Sequence, residues 1–184
     1  GFGHTFKTRT DTEVVMAAYR QWGPECLKKF NGMWAIILFD AQKQQLWVTV
    51  DRFGIKMLYT CQQGDKVAYA SEVKAFLHFG IGVDEYHTEN LQQFLRYGIM
   101  DCDDTTMFRK IRRVKPSHWH QFSTRDNQIT REEAYWKMPP KQELKISEKD
   151  AVAQFSELFR NSLELRLRTD VPWGITLSGG LDSS

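Results

Sequence analysis

Leu177-Ser178-Gly179-Gly180-Leu181-Asp182-Ser183-Ser184 is the stretch that decides how this chain of 184 residues reads. Before it stands Trp173-Gly174-Ile175-Thr176, a short, partly β-branched run that predicts a buried strand. Strand, then paired glycines, then small hydroxyls is the order of a phosphate-binding loop. Adjacent glycines let the backbone turn tightly and bring its N–H groups close to an anion. A helix is expected next, so that its N-terminal dipole adds to the site. The sequence stops where that helix would start, so it reads as a piece cut inside a domain.

The loop is not the common G-x-x-x-x-G-K-[ST] type, because no lysine follows the glycines and Asp182 stands before the serines. S-G-G-x-D-S resembles the pyrophosphate loop of enzymes that split ATP between its α and β phosphates and adenylate a substrate. In that reading the backbone and the hydroxyls of Ser178, Ser183 and Ser184 hold pyrophosphate. Asp182 repels phosphate directly and so acts through Mg²⁺. A surface turn rich in Gly, Asp and Ser is the plainer alternative.

Composition sets few limits. The chain is 41% hydrophobic and 26% charged, ordinary for a globular protein. Its net charge of +2 gives no reason to expect nucleic acid or an anionic membrane as partner. The cluster Lys110, Arg112, Arg113, Lys115 reads as a solvated face. No apolar run reaches the ~20 residues of a membrane span. Gly1-Phe2-Gly3-His4 shows neither an initiator Met nor a signal peptide, so a missing front is expected as well. Cys26, Cys61 and Cys102 lie far apart, fit no disulfide scaffold or CxxC site, and suit a reducing cytoplasm. Cys26 reads as a packing residue. His118 and His120 share one face of an expected strand, but no acidic third ligand is near them in sequence, and both read as structural or surface.

Along the chain, Thr10 is expected to cap a helix with Glu13 reaching back to it, and Val14, Val15, Ala18, Tyr19 and Trp22 give that helix an apolar face. Gly23-Pro24 ends it, and a short helix through Cys26 and Leu27 follows. Met33–Phe39 is apolar without alternation, which predicts a strand covered on both faces. Leu46, Val48 and Val50 alternate with Trp47 and Thr49, the pattern of a hairpin partner. Asp51-Arg52-Phe53-Gly54 reads as a turn with Gly54 at positive φ. Lys56–Cys61 and Lys66–Ala70 predict a second hairpin. Ser71 is expected to cap a helix over Glu72–His78. A helix over Thr88–Tyr97 is expected to bury Leu91, Phe94 and Leu95, and residues 117–130 predict a last hairpin. Met138-Pro139-Pro140-Lys141 reads as a linker. Ser147 then caps a long helix whose stripe of Val152, Phe155, Leu158, Phe159 and Leu163 is expected to be buried, and Asp170-Val171-Pro172 ends it.

Five motifs occur in a telling order: Thr10-Asp11-Thr12-Glu13-Val14, Phe30-Asn31-Gly32-Met33, Asp51-Arg52-Phe53-Gly54-Ile55-Lys56, Ala70-Ser71-Glu72-Val73-Lys74-Ala75, and Asp170-Val171-Pro172 with the terminal loop. Their spacing closely resembles the glutamine-hydrolysing asparagine synthetase family, across essentially the whole chain. The resemblance implies an α+β fold: a partial αββα sandwich of the N-terminal-nucleophile glutaminase type over residues 1–138, a linker at 139–147, and over 148–184 the first helix and strand of an α/β pyrophosphate-loop ATPase domain. It implies glutamine, ATP, Mg²⁺ and a carboxylate acceptor, by default aspartate, as substrates and cofactors, and a homodimer as the assembly. Ammonia released from glutamine would pass through an internal channel to an acyl-adenylate.

Carried over residue by residue, the resemblance makes Asp11 the carboxylate that binds the α-ammonium of glutamine; its plainer role is a helix-start charge. Thr176, Leu177, Ser178, Gly179, Gly180, Leu181, Asp182, Ser183 and Ser184 become the ATP site. Thr176 and Leu177 would meet adenine through their backbone, although leucine is commoner at position 176. Met33 lines the ammonia path or is plain core. The nucleophile, an N-terminal cysteine activated by its own amine, belongs to earlier residues of the family. Met57 stands where proline is usual, Ser117 where glycine is usual, and Trp173 where a smaller residue is usual, which implies a divergent branch. The alternatives are therefore amidation of another carboxylate, on a sugar or a secondary-metabolite precursor, or a β-lactam-forming synthetase with an inactive glutaminase domain.

Overall fold

The computed structural model describes residues 3–100 and 103–181. The chain divides into two compact units, residues 1–138 and 139–184. The first begins with α1 (Asp11–Trp22), stopped by Gly23 at φ 56°, where Pro24 starts a 3-10 turn over Gly23–Lys29. Thr10 stands at the cap of α1 but its side chain accepts no hydrogen bond there. Glu13 instead reaches further back, to the amides of Lys7 at 2.9 Å and Thr8 at 2.7 Å. The expected capping box is displaced because Thr8 supplies a hydroxyl as well, 2.6 Å from Glu13.

Two antiparallel sheets follow. One has the order β1-β2-β6-β7, from β1 (Ala35–Asp40), β2 (Gln45–Val50), β6 (His118–Ser123) and β7 (Gln128–Ala134). The other has the order β4-β3-β5, from β4 (Lys66–Ala70), β3 (Tyr59–Gln63) and β5 (Ile111–Arg113). The three expected hairpins all form, β1 with β2, β3 with β4 and β6 with β7. Two further helices are α2 (Val73–Phe79) and α3 (Thr88–Tyr97), each ended by a glycine in the left-handed region.

Three apolar clusters set the layering. Ala18 of α1, with Cys26 and Leu27, packs on Trp47 and Trp119 from one face of the first sheet. Val48 and Val50, from the opposite face, meet Leu58 and Val114 beside the second sheet. Tyr59, Cys61 and Ile111 then carry Phe76 of α2 on the far face of that second sheet. Helix, sheet, sheet and helix thus follow one another through the unit. Each fully buried Leu or Val contributes about 1.5–3 kcal/mol relative to exposure.

Position in the sheet overrides composition in β1. Its residues were expected to be covered on both faces, but Ile37 is 45% exposed and Phe39 53%. β1 is the edge strand, and only Ile36 and Leu38 reach the helix-side cluster. The doubly covered strand is β2, second in the order, where Trp47, Val48, Thr49 and Val50 are all buried. α3 differs from expectation in the same sense: it buries none of its residues, and Leu95 points to solvent. Ser71 does not cap α2, whose cap position is Glu72.

The second unit contains α4 (Glu148–Arg166), capped as expected by Ser147, whose hydroxyl accepts the Asp150 amide at 3.2 Å. Its expected buried stripe is exposed, with Leu158 at 71%. Trp173–Thr176 forms no strand. A strand needs a neighbour to pair with, and no partner for it exists among the described residues.

Candidate functional site

Asp11 is the first residue of α1, and its placement follows from the clamp ahead of it. The Glu13 carboxylate gathers Lys7 and Thr8, and the hydroxyls of Thr8 and Thr10 lie 2.9 Å apart. The Lys7 amide, with Thr8, holds the Glu13 carboxyl below its ordinary range. Asp11 itself is exposed and makes no hydrogen bond or ion pair within the described residues. A free carboxylate on a clamped helix start suits an ammonium ligand, and it equally suits the helix dipole. A groove of about 200 Å³ runs along α1, lined by His4, Phe6, Val14, Ala17 and Trp22 among others, and Asp11 is not part of its wall.

In the second unit Thr176, Leu177, Ser178, Gly179, Gly180 and Leu181 form an exposed run with neither helix nor strand. Gly179 adopts φ +76°, a conformation that an L side chain resists, so the glycine is required by the backbone itself. An exposed loop turned by a glycine at positive φ fits an anionic ligand such as a nucleotide phosphate. Asp182, Ser183 and Ser184 lie outside the described residues, and Cys102 does too. Among the described residues no group of three His, Cys, Asp or Glu could hold a metal ion.

The remaining motifs meet around Asp51. This buried carboxylate accepts the amides of Trp34 at 3.2 Å, Phe53 at 3.1 Å, Ile55 at 3.0 Å and Lys56 at 3.0 Å. Its carbonyl accepts the amides of Gly54 and Ser117. Gly54, at φ +65°, lies so close to Pro116 that a Cβ would stand 2.9 Å from its ring. The arrangement brings Met33, Ile55, Lys56, Met57, Ser71 and Glu72 to one open groove of about 510 Å³. Three motifs far apart in sequence share that groove. Sequence reasoning gave Asp51 no more than a turn; the signal was the apolar β2 running straight into an Asp, which at a strand end must find backbone donors.

Other groups settle into structural roles. His120 is buried and shares a hydrogen bond of 2.9 Å with the Tyr69 hydroxyl across the two sheets. Burial holds the His120 imidazole below its ordinary pKa and pushes the Tyr69 phenol up to about 12. Burial likewise raises the Cys26 thiol to about 11, which suits packing and not nucleophilic chemistry. The basic cluster is largely paired: Lys110 with Asp84, Arg112 with Asp104, Lys115 with Glu132. No helix among the described residues is long and apolar enough to cross a membrane.

Comparison with known proteins bears on both units. Residues 1–136 match the glutamine amidotransferase domain family, and residues 154–184 match the asparagine synthase family. This chain belongs to the glutamine amidotransferases of the asparagine synthetase type. It is 31% identical to asparagine synthetase [glutamine-hydrolyzing] 3 of Bacillus subtilis, over 99% of this chain and 29% of that protein. It is 30% identical to putative asparagine synthetase [glutamine-hydrolyzing] 2 of Methanocaldococcus jannaschii, over 97% of this chain and 34% of that protein. It is also 32% identical to amidase chry2 of Gibberella zeae, over 97% of this chain and 26% of that protein. The chain thus spans about a quarter to a third of the length of these curated relatives.

Proposed function

We propose that these residues belong to an ATP-dependent amidotransferase that hydrolyses glutamine and passes ammonia to an adenylated carboxylate, with aspartate as the default acceptor and asparagine, AMP and pyrophosphate as products. The single observation that carries the proposal is the order of the two family matches, amidotransferase at 1–136 and asparagine synthase at 154–184, on one chain. The succession of helix, sheet, sheet and helix supports an N-terminal-nucleophile glutaminase for the first unit. The exposed glycine loop supports an ATP-binding start for the second.

Within that reading Asp11 binds the α-ammonium of glutamine by a charge-assisted hydrogen bond. The amides and hydroxyls of Ser178 through Ser184 hold the phosphates, with Asp182 acting through Mg²⁺. ATP supplies the activation of the acceptor carboxylate when bound. The buried Cys26 and Cys61 are unsuited to act as a nucleophile, and the family resemblance gives that role to an N-terminal cysteine activated by its own amine. The cytoplasm and a homodimer remain parts of the same proposal. A second reading, amidation of an acceptor other than aspartate, is favoured by the relative named as an amidase.

The test is Asp182→Asn in the whole enzyme. Pyrophosphate release should fall at least about 100-fold with glutamine or ammonium salts as donor, close to 2.7 kcal/mol of transition-state stabilisation, while glutamine hydrolysis persists. Unchanged pyrophosphate release would remove Asp182 from the nucleotide site. Assaying the same preparation with aspartate and with other carboxylates separates the two acceptor readings.

A further inference from the structure

The loop between the 3-10 turn and β1 is open in its middle and tied down at both ends. Asn31, Gly32 and Met33 are exposed and belong to no helix or strand. On one side the Arg52 guanidinium donates to the Phe30 carbonyl at 3.2 Å, and the Phe30 ring meets Trp34 edge-on at 5.7 Å. On the other side the Trp34 amide donates to the Asp51 carboxylate at 3.2 Å, and its carbonyl accepts the Asp51 amide at 2.9 Å. Between these anchors Asn31 and Gly32 take part in no hydrogen bond among the described residues.

An asparagine side chain can close a five-membered ring with the backbone nitrogen of the next residue. That nitrogen must be free of hydrogen bonds and unshielded by its own side chain. Gly32 meets both conditions, and nothing lies within 4 Å of where a Cβ would stand. The other three asparagines of the chain do not meet them. Asn90 precedes Leu91, whose amide donates to the His87 carbonyl at 3.0 Å, and its own side-chain nitrogen is bonded to Thr105 and Thr106. Asn127 precedes Gln128, the first residue of β7, in register with Ser123 of β6. Asn161 lies inside α4, where the Ser162 amide belongs to the helical ladder.

We propose that Asn31 is a site of spontaneous covalent modification, in which water converts its side-chain amide to a carboxylate through a ring closed by the Gly32 nitrogen. That nitrogen gives up its proton to a base and bonds to the side-chain carbonyl carbon of Asn31. The bond from that carbon to the side-chain nitrogen breaks, and ammonia leaves with the proton. Water then adds to either ring carbonyl and cleaves its bond to the Gly32 nitrogen. Opening at the side-chain carbonyl gives an ordinary aspartyl residue. Opening at the main-chain carbonyl gives the isoaspartyl form, whose backbone is longer by one carbon. The balance is amide plus water to carboxylate plus ammonium, with no oxidant or cofactor.

The product changes the groove beside it. Met33 and Lys56 both line that groove. A negative charge arises two residues from Met33, and the longer backbone must fit between ends that Arg52 and Asp51 hold, so Met33 is displaced. The proposal does not depend on the amidotransferase reading.

The test is slow incubation of the folded 184-residue chain in heavy-oxygen water at mildly alkaline pH. The tryptic peptide 30–43, which holds Asn31 as its one asparagine, is then followed by mass and by chromatography. It should gain one heavy oxygen and split into aspartyl and isoaspartyl forms, about 10-fold or more faster than the peptides of Asn90, Asn127 and Asn161. Gly32→Ala, whose Cβ meets nothing, should slow the change about 10-fold without moving the urea midpoint. Asn31→Gln, which cannot close the five-membered ring, should abolish it. In the unaltered chain the Met33 methyl NMR signal should split in step with conversion. Conversion no faster than at the other three asparagines, or the same rate in Gly32→Ala, would overturn the site. An aspartyl product alone would replace the ring by direct hydrolysis and overturn the route. A Met33 signal that stays single through conversion would overturn the effect on the groove.

Discussion

α1 and α4 are two amphipathic helices with opposite fates. Both begin with acidic residues in the first turn and carry apolar residues at helical spacing. α1 buries Ala18 against Trp47 and Trp119, and its Tyr19 and Trp22 join the same cluster. α4 buries nothing, and its Val152, Phe155, Leu158, Phe159 and Leu163 all face solvent. Helical periodicity specifies a face, and the partner has to come from elsewhere in the fold. In residues 1–138 two sheets supply it. Among the described residues, 139–181 form no sheet. Stability in this chain is therefore expected to reside in the first unit.

The largest effect is expected at Asp51. Removing this buried carboxylate leaves four part-buried backbone amides without their acceptor. Asp51→Ala should cost about 3 kcal/mol or more, since bonds to a charged group contribute about 1.5–3 kcal/mol and buried orphans add to the loss. Urea unfolding followed by tryptophan fluorescence reads it directly. A loss under about 0.5 kcal/mol would mean that water or a shifted turn replaces the carboxylate.

Asp11 should show an effect on binding in place of stability. In the whole enzyme Asp11→Ala should raise the glutamine KM by about 10- to 100-fold, at ~1.4 kcal/mol per decade. Synthesis from ammonium salts needs no α-ammonium site and should survive. Equal losses with both nitrogen donors would instead assign Asp11 to the helix dipole alone.

The sequence reading did best where the signal was local. Gly23, Gly54 and Gly98 stop or turn the chain at positive φ, as their neighbours suggested, and the three hairpins form between the expected runs. It failed where burial depended on distant partners. Met33–Phe39 and Gln45–Val50 are both rich in apolar residues, yet only the strand with neighbours on both sides is doubly covered. Trp173–Thr176 has strand composition and no pairing partner among the described residues. Of the candidate site, the motifs were visible as strings, but their meeting was not. That Met33, Lys56 and Ser71 line one groove follows from sheet topology and from the Asp51 turn.

A smaller effect, again confined to the first unit, belongs to His120. Burial lowers its pKa from the ordinary value of 6.5, with Glu132 acting weakly against that shift. The unfolded chain then binds more protons than the folded one in the window below pH 6.5, so stability falls as pH drops through that window and levels off below the folded pKa. One proton gives a slope of at most about 1.4 kcal/mol per pH unit. His120→Gln should flatten the slope between pH 6.5 and the acid limit, as measured by urea midpoints. An unchanged slope would place the acid sensitivity on carboxylates instead.

The smallest effect is expected on α4, and it is the sharpest test of the contrast between the helices. A residue that is 71% exposed in the folded chain gains little from folding, so Leu158→Lys removes almost no buried area. Its cost should stay within about 0.5 kcal/mol, the ordinary range for surface substitutions. Ala18→Lys, on the buried face of α1, should by contrast abolish the tryptophan-reported transition, because it sets a charge against Trp47 and Trp119. Exposed stripes of this length also favour self-association, so Leu158→Lys should lower light scattering of the concentrated chain. These two readouts separate the cases. If unfolding is unaffected and scattering falls, the α4 face is open in the isolated chain, as its exposure implies. If Leu158→Lys instead destabilises by more than about 1 kcal/mol, the stripe is covered in solution, and α4 has a partner just as α1 does.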